Sequence, residues 1–89
     1  MRVVGYIPHP EFKISVFSLS EKYIVKIEAG YFEQSYKFPA GAVEKWQDLE
    51  TLFDESFMQT IRERFLQMAK DSLAAHKRLK QKTENKNAP

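Results

Sequence analysis

EFKISVFSLSEKYIVKIEAGYFEQSYKFP, residues 11–39, is the stretch whose reading decides the fold. Apolar and polar residues alternate with a period of two, the pattern of strands with one buried face. Phe12, Ile14 and Val16 alternate with Lys13 and Ser15. Tyr23, Val25 and Ile27 alternate with Ile24, Lys26 and Glu28. Phe32, Tyr36 and Phe38 alternate with Glu33, Ser35 and Lys37, and Gln34 is the one polar residue on the apolar side. Three such strands joined by short turns predict an antiparallel meander.

The turns set the expected register. Ala29-Gly30 as a two-residue loop places Ile27 opposite Phe32, Tyr23 opposite Tyr36 and Lys26 opposite Glu33. With Ser20-Glu21 as the tip of the first hairpin, Val16 meets Val25 and Lys13 meets Glu28. Upstream, Val3 to Ile7 reads either as a fourth strand or as an arm, ended by Pro8 and Pro10.

Downstream the period changes. After Pro39-Ala40-Gly41, the residues Val43, Trp46, Leu49 and Phe53 predict a short amphipathic helix over 42–53, with Glu44, Asp48 and Glu50 outward. From Ser56 to about Lys82, Met58, Ile61, Phe65, Met68, Ser72, Ala75 and Leu79 recur at spacings of three and four, one face of a long helix. Phe57, Leu66, Ala69 and Leu73 widen that face. Ser56 with Gln59 reads as a capping box, and Asp54 competes with Ser56 for the cap. The fold class is therefore α+β: a three- or four-stranded antiparallel meander followed by two helices, the second long, packed on one sheet face. One domain spans 1–82, and 83–89, with nothing to bury, reads as a disordered tail. The expected core is Phe12, Ile14, Val16, Tyr23, Val25, Ile27, Phe32, Tyr36, Phe38, Trp46, Leu49, Ile61, Phe65 and Met68.

Composition narrows the chemistry. The 89 residues contain no Cys, which excludes disulfides, thiolate catalysis and cysteine-held metals. The apolar run at the start is too short for a signal peptide or membrane span, so a cytoplasmic location is expected. His9 and His76 are far apart and neither has a second ligand at strand or helix spacing, so no metal site is expected. The three glycines are isolated and form no phosphate-cradling loop. The carboxylates of 44–55 fit the outer face of a helix better than a catalytic cleft. No catalytic residue and no cofactor is expected.

Two surfaces remain. The net charge of +2 conceals an asymmetry: nine Lys/Arg face eleven Asp/Glu through Ala75, and five face one from His76 onward. Lysines at a helix end offset the helix dipole, and they also suit contact with phosphates. Lys13, Lys26 and Lys37 on the outer sheet face, with Lys77, Arg78, Lys80 and Lys82 at the helix end, are the candidate nucleic-acid contacts; Glu28 and Glu33 oppose that reading. Phe17, Ile24 and Tyr31 form an outer-face apolar patch awaiting cover by Val3–Ile7 or a second subunit. A helix over 56–82 runs about 40 Å, longer than strands of about 26 Å, and so overhangs the sheet beyond Leu73. Leu73, Ala75 and Leu79 continue the apolar face into the overhang. The preferred expectation is a non-catalytic domain for protein association, as a homodimer or with another protein. In a dimer, the overhanging helices either cross or each cover the partner's sheet patch. Nucleic-acid binding is the alternative, and no membrane contact is expected.

Glu11-Phe12-Lys13-Ile14 through Tyr36-Lys37-Phe38-Pro39, with Trp46 and Asp54-Glu55-Ser56-Phe57, resembles a small family of Bacteroidetes-type bacterial proteins. The resemblance implies a compact α+β domain and brings no activity, cofactor or catalytic residue. The β-rich half followed by a long helix also resembles single-stranded nucleic-acid-binding domains of the PUR type. Those have four strands before one helix, whereas a second helical segment is expected here and the outer face carries glutamates.

Overall fold

The computed structural model describes the backbone of residues 1–87 and the side chains of residues 1–81. Four strands, β1 (Arg2–Ile7), β2 (Lys13–Leu19), β3 (Lys22–Ala29) and β4 (Phe32–Pro39), form one antiparallel sheet in sequence order. Two 3₁₀ turns, Ala40–Ala42 and Trp46–Thr51, lead into a single long helix, α1 (Glu55–Asn87). The expected α+β meander is present. The Val3–Ile7 segment is a full strand of it, paired with β2 through a bulge that leaves Val4 without an opposite residue.

The first hairpin has the expected register, with Val16 opposite Val25 and Lys13 opposite Glu28. The second does not. Its loop is Gly30-Tyr31, so Ala29 meets Phe32 and Val25 meets Tyr36. The reason lies in the backbone. Gly30 has φ 62° and Tyr31 is not in the positive region, so glycine occupies the first loop position, the sign pattern of a type II′ turn. The first hairpin repeats that pattern with Ser20 at φ 54°. Because the pairing moves by two residues, every side chain keeps its face.

The expected helix over 42–53 is absent, and 3₁₀ turns stand in its place. Val43, Trp46 and Leu49 are spaced by three throughout, which matches three residues per turn better than 3.6. Lys45, extended at φ −148°, separates the two turns. The segment still buries Leu49 and Phe53 completely or nearly so. Trp46 lies against β1 at Gly5, where a Cβ would fall 2.2 Å from the indole.

The Asp54 side chain, not Ser56, caps α1: its Oδ1 accepts the Phe57 N–H at 2.8 Å. The helix therefore begins at Glu55, and Gln59 is released to bond with Arg62 and Glu63. Met58, Ile61 and Phe65 enter the core beside Ile7, Ile14, Val16, Val25, Ile27, Leu49 and Phe53. The remaining expected core residues, including Phe12, Tyr36 and Met68, pack around this group half-buried. Ile7, Phe53 and Met58 are additional members. Gln34, polar on the apolar face, donates to the Ile61 carbonyl at 3.0 Å and accepts from the Tyr36 hydroxyl at 2.9 Å, tying β4 to α1.

Past Met68 the helix leaves the sheet. From Ala69 to Gln81 only Ser72 is even half-buried, and the molecule measures 64 × 28 × 18 Å. Its radius of gyration is 17.8 Å, against about 12 Å for a compact chain of this length. The expected disordered tail over 83–89 involves side chains, and for 88–89 also backbone, that lie outside the described residues.

Candidate functional site

The first surface is the open face of the sheet. Val3, Phe17, Ile24 and Lys37 form one row across the four strands, and Tyr6, Ser15, Lys26 and Ser35 form the next. Phe17 and Ile24 are direct cross-strand neighbours, and Ile24 is only 8% exposed. Tyr31 does not join them. It sits at the tip of the β3–β4 hairpin, fully exposed, at the far end of the sheet. Val3, Tyr6 and Leu19 complete the apolar patch instead. The membership of Val3 and Tyr6 depends on β1 pairing through the bulge at Val4, for which the sequence carries no signal beyond the short apolar run.

Charges on this face are partly neutralised. Lys26 Nζ lies 3.3 Å from Glu33 and 3.5 Å from Glu28, and the bond to Glu33 raises its pKa. Glu28 and Glu33 stand directly opposite one another, so Lys26 relieves a like-charge pair. Its contact with Glu33 is diagonal, because the two-residue shift in register sets Lys26 opposite Ser35 instead. Lys13 and Lys37 are exposed and form no ion pair among the described residues.

The second surface is the overhang of α1. Leu66 and Leu73 are each 59% exposed and Leu79 is 61% exposed. Leu66 is not part of the buried seam, although its neighbours Phe65 and Met68 both pack against the sheet. Seven residues apart at about 100° per residue, Leu66 and Leu73 share one stripe on the flank of the helix. Ala75, Lys77, Arg78 and Lys80 are all exposed along the overhang; the Lys82 side chain lies outside the described residues. The helix packs on one sheet face and Lys13, Lys26 and Lys37 occupy the other, so the two basic groups named from sequence are not brought together.

His9 is engaged by its own turn. His9 Nδ1 accepts the N–H groups of Glu11 at 3.1 Å and Phe12 at 3.3 Å, closing the turn between β1 and β2. Its ring stacks on Phe12, which in turn meets Phe65. Glu11, next in the turn, forms a two-point ion pair with Arg62 of α1. That hydrogen bond is the main reason the Glu11 carboxyl is held below its ordinary value of 4.5. Among the described residues no three His, Cys, Asp or Glu side chains cluster as metal ligands, and no helix is long and apolar enough to cross a membrane.

No family model, curated protein or solved structure matches this chain.

Proposed function

We propose that this chain is a non-catalytic association domain whose first partner is a second copy of itself. The observation that carries this reading is the length of α1 relative to its own sheet. The helix makes its last core contact at Met68 and continues outward with Leu73 more than half exposed, beside the equally exposed Leu66. Burying a leucine contributes about 1.5–3 kcal/mol, a gain that this subunit leaves unused and a neighbour supplies. The open sheet face adds a second apolar surface at Val3, Tyr6 and Leu19. Sedimentation equilibrium on the full chain across a wide concentration range tests the reading. A mass rising from monomer to dimer is expected, and a monomer at every concentration would overturn it.

A second reading is favoured by one observation. The helix expected between sheet and α1 is only a pair of 3₁₀ turns, so the chain runs four strands and then one helix, the PUR-type order. The open face also sets Tyr6 and Phe17 among Lys13, Lys22 and Lys37, none of which forms an ion pair among the described residues. Stacking plus cations is the chemistry that holds single strands. Labelled single-stranded and duplex oligonucleotides titrated at low and moderate salt distinguish it, because affinity from phosphate contacts falls steeply with salt. No binding at low salt removes this reading.

A further inference from the structure

Two arrangements would cover the overhang in a dimer, and charge separates them. In one, the overhang of each copy lies on the open sheet face of the other. That face carries Lys13, Lys22, Lys26 and Lys37 against Glu28 and Glu33, and the overhang brings Lys77, Arg78 and Lys80 to it. Positive meets positive, which opposes docking. In the other, the helices run antiparallel, and the basic end of each reaches the start of its neighbour. There the balance is slightly negative rather than positive: Glu11, Glu55 and Glu63 stand against Arg62, which Glu11 pairs, and Arg64.

We propose that α1 pairs antiparallel with α1 of a second copy about a two-fold axis between Ala69 and Lys70. This inference rests on the self-association reading and specifies its geometry. The axis follows from the exposed stripe. Leu66 and Leu73 share it, and the midpoint between them is the only axis position that sets each against the other in the neighbouring copy, as an isologous contact requires. Ala69, exposed at the crossing, lets the helices approach closely. At this register Lys77 and Lys80 reach the levels of residues 62 and 59 in the second copy, one turn or less from its Glu63 and Glu55. Arg62 stands at the same level but is already paired with Glu11. The helix dipoles are antiparallel as well, and both copies gain the same contacts. With two leucines per helix the interface falls at the small end, under about 1,200 Å² in total, so the dimer is salt-sensitive and concentration-dependent.

The absence of cysteine makes the test direct, since one introduced thiol is unique. Full-length Ala69→Cys is expected to oxidise to a disulfide-linked dimer, and Gln81→Cys, at the far end of the helix, to remain unlinked. Lys77→Glu with Lys80→Glu should weaken the dimer at least tenfold at low salt. Adding Glu55→Lys and Glu63→Lys to the same chain should restore it, because the reversed charges again face each other. All four charged positions are exposed, so folding is not at stake. Linkage through Gln81→Cys instead of Ala69→Cys overturns this geometry while leaving self-association intact. So does a dimer indifferent to the charge reversal. A monomer in sedimentation at every concentration overturns both.

Discussion

Single residues show most directly how this backbone was chosen. Gly5 stands in β1 because Trp46 occupies the space a side chain would need, with an added Cβ 2.2 Å from one ring carbon and 2.4 Å from another. Gly5→Ala therefore forces the indole off the sheet and should cost about 1–3 kcal/mol, the range for overpacked cores. A melting temperature within a degree or two of the parent would show that Trp46 yields freely. Ser20 is the opposite case. It holds φ 54° at an exposed turn with nothing but the hairpin geometry to keep it there. Ser20→Gly should stabilise by about 1 kcal/mol by removing the left-handed penalty, which in a domain of this size raises the melting temperature by about 4–8 °C. Neither residue's role was legible in the sequence. A lone glycine in a short apolar run does not announce a tryptophan more than forty positions later. Gly30 was legible as a turn, but glycine fits either loop position and the sequence did not say which; the backbone puts it first.

At the scale of elements, the sheet was readable because period-two alternation ties each side chain to a face, and faces survive a register error. The helical half was readable only in part. Twelve residues with apolar spacings of three, three and four fit both a short α-helix and 3₁₀ turns, and the difference appears only once Trp46 and Leu49 have a sheet to pack on. The long helix has clearer anchors. Phe65 is 7% exposed and packs on Phe12, so Phe65→Ala should cost about 3–5 kcal/mol. Thermal melts of the variant check this, and a near-parental midpoint would contradict the packing of α1. The Glu11–Arg62 pair joins the same helix to the β1–β2 turn, and its contribution depends on pH. Glu11 is more acidic in the folded chain than its ordinary 4.5, so as pH falls the unfolded chain takes up the proton first. The stabilisation is fully present above that ordinary value and is lost as pH drops through the lowered folded one. Urea melts of the parent and Glu11→Gln should differ at neutral pH and converge in acid; a constant difference would mean the pair is not the cause.

For the whole molecule, the question is whether the end of α1 serves the fold or a contact. The overhang was legible from length alone, because a helix of that many residues exceeds any sheet this chain builds. Its exposed stripe was not, since Leu66 reads from spacing as part of the buried face. Among the described residues none beyond Met68 joins the core, so a chain ending at Ser72 retains every described buried residue. It also loses the basic end and becomes net −2, with nine Lys/Arg against eleven Asp/Glu. If the overhang exists for association, the two forms should melt within about 4 °C of each other when dilute, since that corresponds to less than about 1 kcal/mol. Only the full chain should then gain stability as concentration rises, because a dimer adds its binding free energy to folding. Parallel melts across a hundredfold concentration range read both quantities. A truncated chain that melts far lower even when dilute would mean that residues past Ser72 hold the domain together. In that case the long helix is a structural strut, and the reason for its length lies within one subunit.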